Sequence, residues 1–226
     1  MTDSYNKYFI VDNVEKQLQD LFLEANVSEE IEHYIRKQYS QRGRYYHGLY
    51  HIAHIYQLHK LLKTKMKFGE FQNIAILLAI MFHDVIYDST RKDNEIESAN
   101  AYNNFYRGGI LEKLSYYLIS ETKNHFVIGE PLNVDMDKSE ILKCRNWFIG
   151  LDLASLASPL GVFNQNTMAI RAEFNHVPFD DFMNGQKSFF NHVLAQDKIY
   201  QNQIFYEMFE ENARNNLIMA SNSDQL

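Results

Sequence analysis

Glycine and proline are scarce in this sequence, whose 226 residues include 9 Gly and 3 Pro. A many-stranded β-sandwich needs turn residues every few positions, whereas long helices with short connections do not. The chain is 46% hydrophobic and 23% charged, which is typical of one globular domain. The composition therefore predicts a single all-α domain that spans residues 1–226.

Cysteine is nearly absent as well, because Cys144 is the single one. One thiol excludes an internal disulfide and a zinc site built on cysteines, and it is compatible with a reducing compartment. The first residues are polar and lack the apolar stretch of a secretory signal. We therefore expect a cytoplasmic protein.

Long apolar runs and an excess of positive charge are also missing. The longest apolar run, residues 74–82, has nine residues, about half of what a bilayer-spanning helix needs. We expect a buried helix there and no membrane partner. The net charge of −7 disfavours a nucleic acid duplex as partner, since a duplex requires clustered Lys and Arg.

Histidine, in contrast, is clustered. Four of the nine histidines lie within one helix predicted from about residue 46 to 65, and they are His47, His51, His54 and His59. At 100° per residue, the first three lie within about 60° of one another along the border of the apolar face. A lone histidine in such a position is more often a hydrogen-bonded structural residue than a ligand, so the stripe alone leaves both interpretations open.

The adjacent residues His83 and Asp84 favour a metal site, because they come at the end of the most apolar predicted helix, about residues 70–86. A buried ionised aspartate is costly unless it is paired or bound to a metal. A cation between this pair and His51 would satisfy these side chains. Imidazole and carboxylate ligands suit manganese, iron, cobalt, nickel or zinc, while magnesium prefers oxygens only. The structural alternative is that Asp84 caps a helix or pairs with an arginine.

Several short segments give the chain its resemblance to a known family. In chain order they are RYYHGLYHI (44–52), FHDVIYD (82–88), DNEIESA (93–99), LDLASL (151–156), IRAEF (170–174) and EENARNNL (210–217). The set resembles the HD superfamily of metal-dependent phosphohydrolases, and more narrowly a bacterial branch that shares its Tyr-His, His-Asp and Asn-Glu elements in this order. The resemblance implies an all-α, HD-domain-like helical bundle.

The resemblance also implies a divalent metal ion, whose identity stays open with magnesium included. Its ligands in this sequence would be His51, His83, Asp84 and Asp152. Asp135 and Asp137 compete with Asp152, but they lie in a polar loop, whereas Asp152 has an apolar context expected to begin a buried helix. One ion is the default, and a second would need His47 or His125.

The same resemblance suggests roles around the ion. The spacing from Tyr46 to His51 is similar to that of cyclic-nucleotide phosphodiesterases, in which the later histidine is the ligand and the earlier one protonates the leaving group. His47 is therefore the candidate general acid, and Asp84 is expected to orient or deprotonate the attacking water. The candidate substrate contacts are Arg44, Arg171, His125 and Lys92, and the candidate partners of the ligands are Glu95 and Ser98.

The expected activity is hydrolysis of a phosphate ester or anhydride in a small, nucleotide-like substrate. A metal and side chains would hold the phosphate, because none of the glycines forms the cluster of a phosphate-binding loop. Two alternatives remain, a module that binds or senses a nucleotide or phosphorylated ligand without turnover, and an iron-dependent oxygenase. A homo-oligomer is possible, and the sequence leaves this open.

Overall fold

The computed structural model describes residues 5–127, 129 and 132–223, and this part of the chain contains ten α-helices and no β-strand. The all-α prediction is confirmed. In chain order, the helices are α1 (Val14–Glu24), α2 (Glu29–Tyr39), α3 (Leu49–Leu62), α4 (Glu70–Phe82), α5 (Asn94–Tyr102), α6 (Ile110–Glu121), α7 (Lys138–Leu153), α8 (Leu160–Glu173), α9 (Phe179–Leu194) and α10 (Gln203–Ser221). Single 3₁₀ turns follow three of them, at Lys63–Lys65, Thr122–Asn124 and Ala154–Ala157.

Polar caps fix where the first helices begin. The Asn13 side chain accepts a hydrogen bond of 2.9 Å from the backbone N–H of Lys16, which satisfies one of the free donors at the start of α1. Helix α1 therefore begins directly after this cap. Ser28 caps α2 in the same way, through the backbone N–H of Ile31.

Helix α4 is the centre of the hydrophobic core, as predicted from its composition. All its residues from Ala75 to Phe82 are at most 2% exposed, and it packs against α3, α6 and α7. Each large side chain buried in this way contributes about 1.5–3 kcal/mol relative to the exposed state. Among the described residues, no helix has the length and apolarity to cross a bilayer.

Gly150 allows α7 and α10 to approach each other closely. A Cβ atom at this position would lie 2.7 Å from Cδ2 of Phe205, which is closer than two carbons pack. Helix α7 extends beyond Gly150 and ends at Leu153. Asp152 lies near the end of this helix, so the expectation that it begins a helix is wrong.

His47 also lies outside the helix to which its spacing assigned it. Helix α3 begins at Leu49, after Gly48, whose backbone is extended. The backbone N–H of His47 donates to the Glu173 side chain at 2.9 Å. This contact holds His47 in the segment that precedes the helix. The predicted stripe of three histidines on one helix is thus wrong for His47, while His51 and His54 share α3.

Candidate metal centre

Four polar side chains meet where α3, α4 and α7 converge. His51 comes from the first turn of α3, His83 and Asp84 from the turn that ends α4, and Asp152 from the last turn of α7. The ligand atoms of His51, His83 and Asp84 all lie within 4.8 Å of one another. A cluster of this kind could hold a metal ion.

The separations between these atoms match the spacing of ligands around one ion. His83 Nε2 lies 3.2 Å from His51 Nε2 and 3.1 Å from Asp84 Oδ2. Asp152 Oδ1 lies 3.3 Å from His51 Nε2 and 3.6 Å from His83 Nε2, and Asp84 Oδ2 lies 3.7 Å from His51 Nε2. Ligand atoms about 2.1 Å from one ion are about 3.0 Å apart in an octahedron and about 3.4 Å apart in a tetrahedron. His51, His83 and Asp84 therefore could hold a single divalent ion, and Asp152 adjoins it from the side of the two histidines.

Both histidines direct Nε2 at the cluster. His51 is 4% and His83 1% exposed. His83 Nδ1 lies 3.1 Å from the carbonyl oxygen of Ile80, to which an Nδ1–H donates, so Nε2 is the nitrogen that faces the cluster and is available to a metal ion. Two imidazole nitrogens with two carboxylates are the donor set of first-row divalent ions.

The electrostatics of the cluster favour a cation. Burial acts to raise the pKa of Asp84, but the neighbouring histidines, His83 first, hold it well below its usual range. The pKa of Asp152 is likewise held well below its usual range by neighbouring histidines, against the effect of burial. Burial also acts to lower the pKa of His83, but the charge of Asp84 raises it to about 9. For His51, burial prevails and lowers the pKa. Both carboxylates are therefore ionised at neutral pH.

Two side chains fix the backbone of Asp84. The Tyr39 hydroxyl accepts a hydrogen bond of 3.2 Å from the Asp84 N–H. The Arg44 guanidinium donates to the carbonyl oxygens of Asp84 at 2.7 Å and Val85 at 2.9 Å, and it lies over the Tyr39 ring. Arg44 therefore holds the turn that presents Asp84, and its contact with phosphate stays a prediction.

The sequence did not single out Glu173, the last residue of α8, although it lies within the IRAEF segment. Its Oε1 accepts hydrogen bonds of 2.7–2.9 Å from the backbone N–H groups of Tyr45, Tyr46 and His47. Its Oε2 lies 2.6 Å from His47 Nδ1 and accepts a hydrogen bond of 3.0 Å from the Tyr87 hydroxyl. The buried carboxylate thus fixes both the backbone and the ring of His47.

Two other predicted residues adjoin the cluster. His125 Nε2 lies 2.8 Å from Asp152 Oδ2, on the carboxylate oxygen that faces away from the two histidines. The Ser98 hydroxyl bonds to both the N–H and the C=O of Ile86 at 3.1 Å. Ser98 therefore holds the chain just beyond Asp84, and its role toward the ligands stays a prediction.

The remaining predicted residues lie farther from the cluster. Arg171 donates to the carbonyl oxygens of Phe174 and Val177. Lys92 is exposed and Glu95 is half-buried, and neither has a side-chain hydrogen bond within the described part of the chain. Their roles, like that of Arg171 toward substrate, stay predictions.

Asp135 and Asp137 do not approach the candidate metal centre. Both are exposed. Asp137 accepts a hydrogen bond of 2.7 Å from the Ser139 N–H and caps α7. Their exposure agrees with the expectation that these two carboxylates are solvated.

Comparisons with known proteins do not identify a family for this chain. No protein-family description matches the sequence, and no curated protein matches it. The fold and the cluster define an all-α protein with a possible metal-binding site. Membership of the HD superfamily stays a prediction from the motifs.

Proposed function

We propose that this protein is a metal-dependent phosphohydrolase of the HD type, which cleaves a phosphate ester or anhydride in a small phosphorylated molecule. The observation that supports this most strongly is the position of His47. Its ring centroid lies 6.0 Å from that of His51, and its Nδ1 is held by Glu173. A protein that only binds a metal or a ligand has no need for an acid–base group oriented beside the cluster.

The proposal gives His47 the delivery of a proton from Nε2. Because Glu173 accepts a hydrogen bond from Nδ1–H, Nε2 is the nitrogen that exchanges its proton with a substrate. Nε2 has no hydrogen-bond partner among the residues that the structure describes. Burial acts to lower the pKa of His47, but Asp84 and Glu173 raise it above its ordinary value. A raised pKa favours the protonated ring that a general acid requires.

The reaction follows from these positions. A divalent ion held by His51, His83, Asp84 and Asp152 would lower the pKa of water and withdraw charge from a phosphoryl oxygen. Asp84 orients the attacking water by accepting its hydrogen bond, because its lowered pKa makes it a weak base. The attacking water would release one proton to the solvent, which its lowered pKa favours. As its oxygen bonds to phosphorus, the bond from phosphorus to the leaving oxygen breaks, and His47 protonates that oxygen.

The test measures metal content and turnover in the same preparations. The protein is loaded with manganese and freed of excess ion, and hydrolysis is assayed on p-nitrophenyl phosphate and on a panel of nucleotides. We expect about one ion per chain in the wild type, and loss of both the ion and turnover in His83→Ala and Asp84→Ala. The matched control is His33→Ala, an exposed histidine on α2, which keeps both.

Other outcomes would assign the site differently. Equal turnover by the wild type and the two ligand variants contradicts the hydrolase assignment. Tight binding of a nucleotide in calorimetry with no turnover favours a sensing module. An iron-dependent visible absorption coupled to substrate oxidation favours the oxygenase. A ratio near two ions per chain would overturn the single-ion assignment and point to His125 as a further ligand.

A further inference from the structure

A cavity of about 420 Å³ lies between α8 and α9. Its walls are mostly apolar, and they include the rings of Phe163, Phe174, Phe182, Phe189 and Phe190. The volume falls within the range of sites for small molecules, about 300–1,000 Å³. A cavity of this size with these walls has room for a substantial apolar group.

The cavity adjoins the candidate metal centre. Tyr46, Ser155 and Asn166 line both this cavity and a smaller one of about 80 Å³ that extends to His51. The Tyr46 hydroxyl lies 2.7 Å from Ser155 Oγ, and its ring centroid lies 4.9 Å from that of His51. Tyr46 therefore forms a wall that this cavity shares with the His51 side of the cluster.

The lining selects against charged groups. None of the described residues that line the cavity is a lysine or an arginine, and Asp181 lies exposed among them. A carboxylate repels phosphate, and aromatic walls do not compensate the desolvation of an ion. The remaining polar groups, including the Asn166 and Gln186 amides, are uncharged. The occupant that this lining suits is uncharged and mostly apolar.

We propose that this cavity binds the aryl or alkyl group of a phosphate ester while the phosphate lies at the metal centre. The inference rests on the proposed function and deepens it by naming a substrate class, the phosphomonoesters of bulky apolar alcohols. Nucleotides, which carry a polar ribose next to the phosphate, are poorer substrates than these esters.

The first test compares phenyl phosphate with 4-butylphenyl phosphate, whose leaving groups have similar acidity. Each methylene that is buried increases binding by about fourfold. We expect kcat/KM to be at least tenfold higher for the butyl compound with the manganese-loaded wild type. A nucleoside monophosphate hydrolysed with a higher kcat/KM than 4-butylphenyl phosphate would overturn the inference.

Two glycine variants make the test specific to the cavity. Gly185 lines the cavity on α9, and a Cβ added there meets no atom within 4 Å. Gly185→Leu therefore fills the cavity without a clash and is expected to bring the ratio of the two kcat/KM values close to one. Gly161 lies on α8 with equally open space and is not part of the cavity wall, so Gly161→Leu keeps the ratio of the wild type.

Binding of an uncharged probe separates this inference from the proposed function. N-phenyl-1-naphthylamine is titrated while its fluorescence is followed. We expect equal binding by the wild type and His83→Ala, and binding at least tenfold weaker in Gly185→Leu than in Gly161→Leu. Equal binding by the two glycine variants overturns the inference, even if the protein hydrolyses phosphate esters. Binding that depends on Gly185 without any hydrolysis supports the apolar site and overturns the hydrolase assignment.

Discussion

His51 and His59 lie on the same helix and are both buried, but their ring nitrogens meet different partners. His59 Nδ1 accepts a hydrogen bond of 2.9 Å from the Trp147 indole N–H, and its Nε2 donates to Asn73 Oδ1 at 2.9 Å. His51 Nε2 instead lies 3.2 Å from the Nε2 of His83 and close to two carboxylates. The first arrangement is a complete hydrogen-bond network, whereas the second gathers several acceptors that one cation would satisfy together.

The network around His59 continues to the protein surface without a gap. Asn73 Nδ2 donates to Glu24 Oε1 at 2.9 Å, and the same carboxylate is bound by Lys63 and by the Tyr56 hydroxyl. Every group in this chain of contacts has a partner of the opposite kind. The comparison shows that burial alone does not distinguish a structural histidine from a metal ligand, and that the pairing of each nitrogen does.

His47 is a third case, because Glu173 binds its Nδ1, while its Nε2 has no hydrogen-bond partner among the residues that the structure describes. Replacing His47 gives the largest expected effect. His47→Gln removes the proposed proton donor. We expect kcat to fall by about 10²–10⁴-fold, while the metal content stays that of the wild type and KM changes little. The measurement is steady-state kinetics together with metal analysis, with His33→Gln as the control. An unchanged kcat would remove His47 from the mechanism.

His59→Leu is expected to give the next largest effect, and on stability instead of activity. The change leaves the Trp147 N–H and the Asn73 carbonyl oxygen without their partner in a buried region. We expect the free energy of unfolding at pH 7.5 to fall by about 2–4 kcal/mol, with the metal content unchanged. Urea denaturation and metal analysis check the two parts. Loss of the ion would contradict the division between the two histidines.

The same variant also tests the charge state of His59. Burial lowers the pKa of His59 to about 4, below the ordinary value of about 6.5. The stabilisation by the neutral ring is complete above pH 6.5 and is lost as the pH falls toward 4, because the unfolded chain takes up the proton first. The cost of His59→Leu should therefore shrink by about 2–3 kcal/mol at pH 4.5. An equal cost at both pH values would contradict this pKa.

Part of this contrast could be predicted from the sequence. His83 and Asp84 stood out because an aspartate at the end of so apolar a helix requires a charged partner. The spacing placed His51 but not His59 in the histidine stripe, yet it could not show what either ring contacts, because their partners lie far along the chain, at His83 and Trp147.

The scarcity of glycine and proline predicted the all-α fold, and the long apolar run predicted the buried α4, but neither predicted the organisation of His47. Glu173 binds three backbone N–H groups that are 126–128 positions away in the chain. No side-chain pattern records contacts of this kind. The start of α3 was misplaced for the same reason, since Glu173 determines the backbone just before the helix.

The smallest effect is expected from His51→Leu measured in the presence of a chelator, and it gives the sharpest contrast with His59→Leu. The substitution, the helix and the degree of burial are the same. His51 Nε2, however, has no partner as well matched as the indole of Trp147. Its loss leaves neither carboxylate unpaired, because Asp84 keeps His83 at 3.1 Å and Asp152 keeps His125 at 2.8 Å. We expect the free energy of unfolding to change by less than about 1 kcal/mol, with His33→Leu as the control.

Adding manganese should then reverse the ranking of the two variants. Binding of an ion to the folded state alone stabilises it, by about 2.7 kcal/mol when the ion is present at 100 times its Kd. We expect the wild type and His59→Leu to gain melting temperature with manganese, and His51→Leu to gain none. A large loss of stability for His51→Leu in chelator, together with an unchanged response to manganese, would mean that His51 is a structural residue like His59. The cluster would then lack one of its two imidazole ligands, and the proposed metal centre would fail with it.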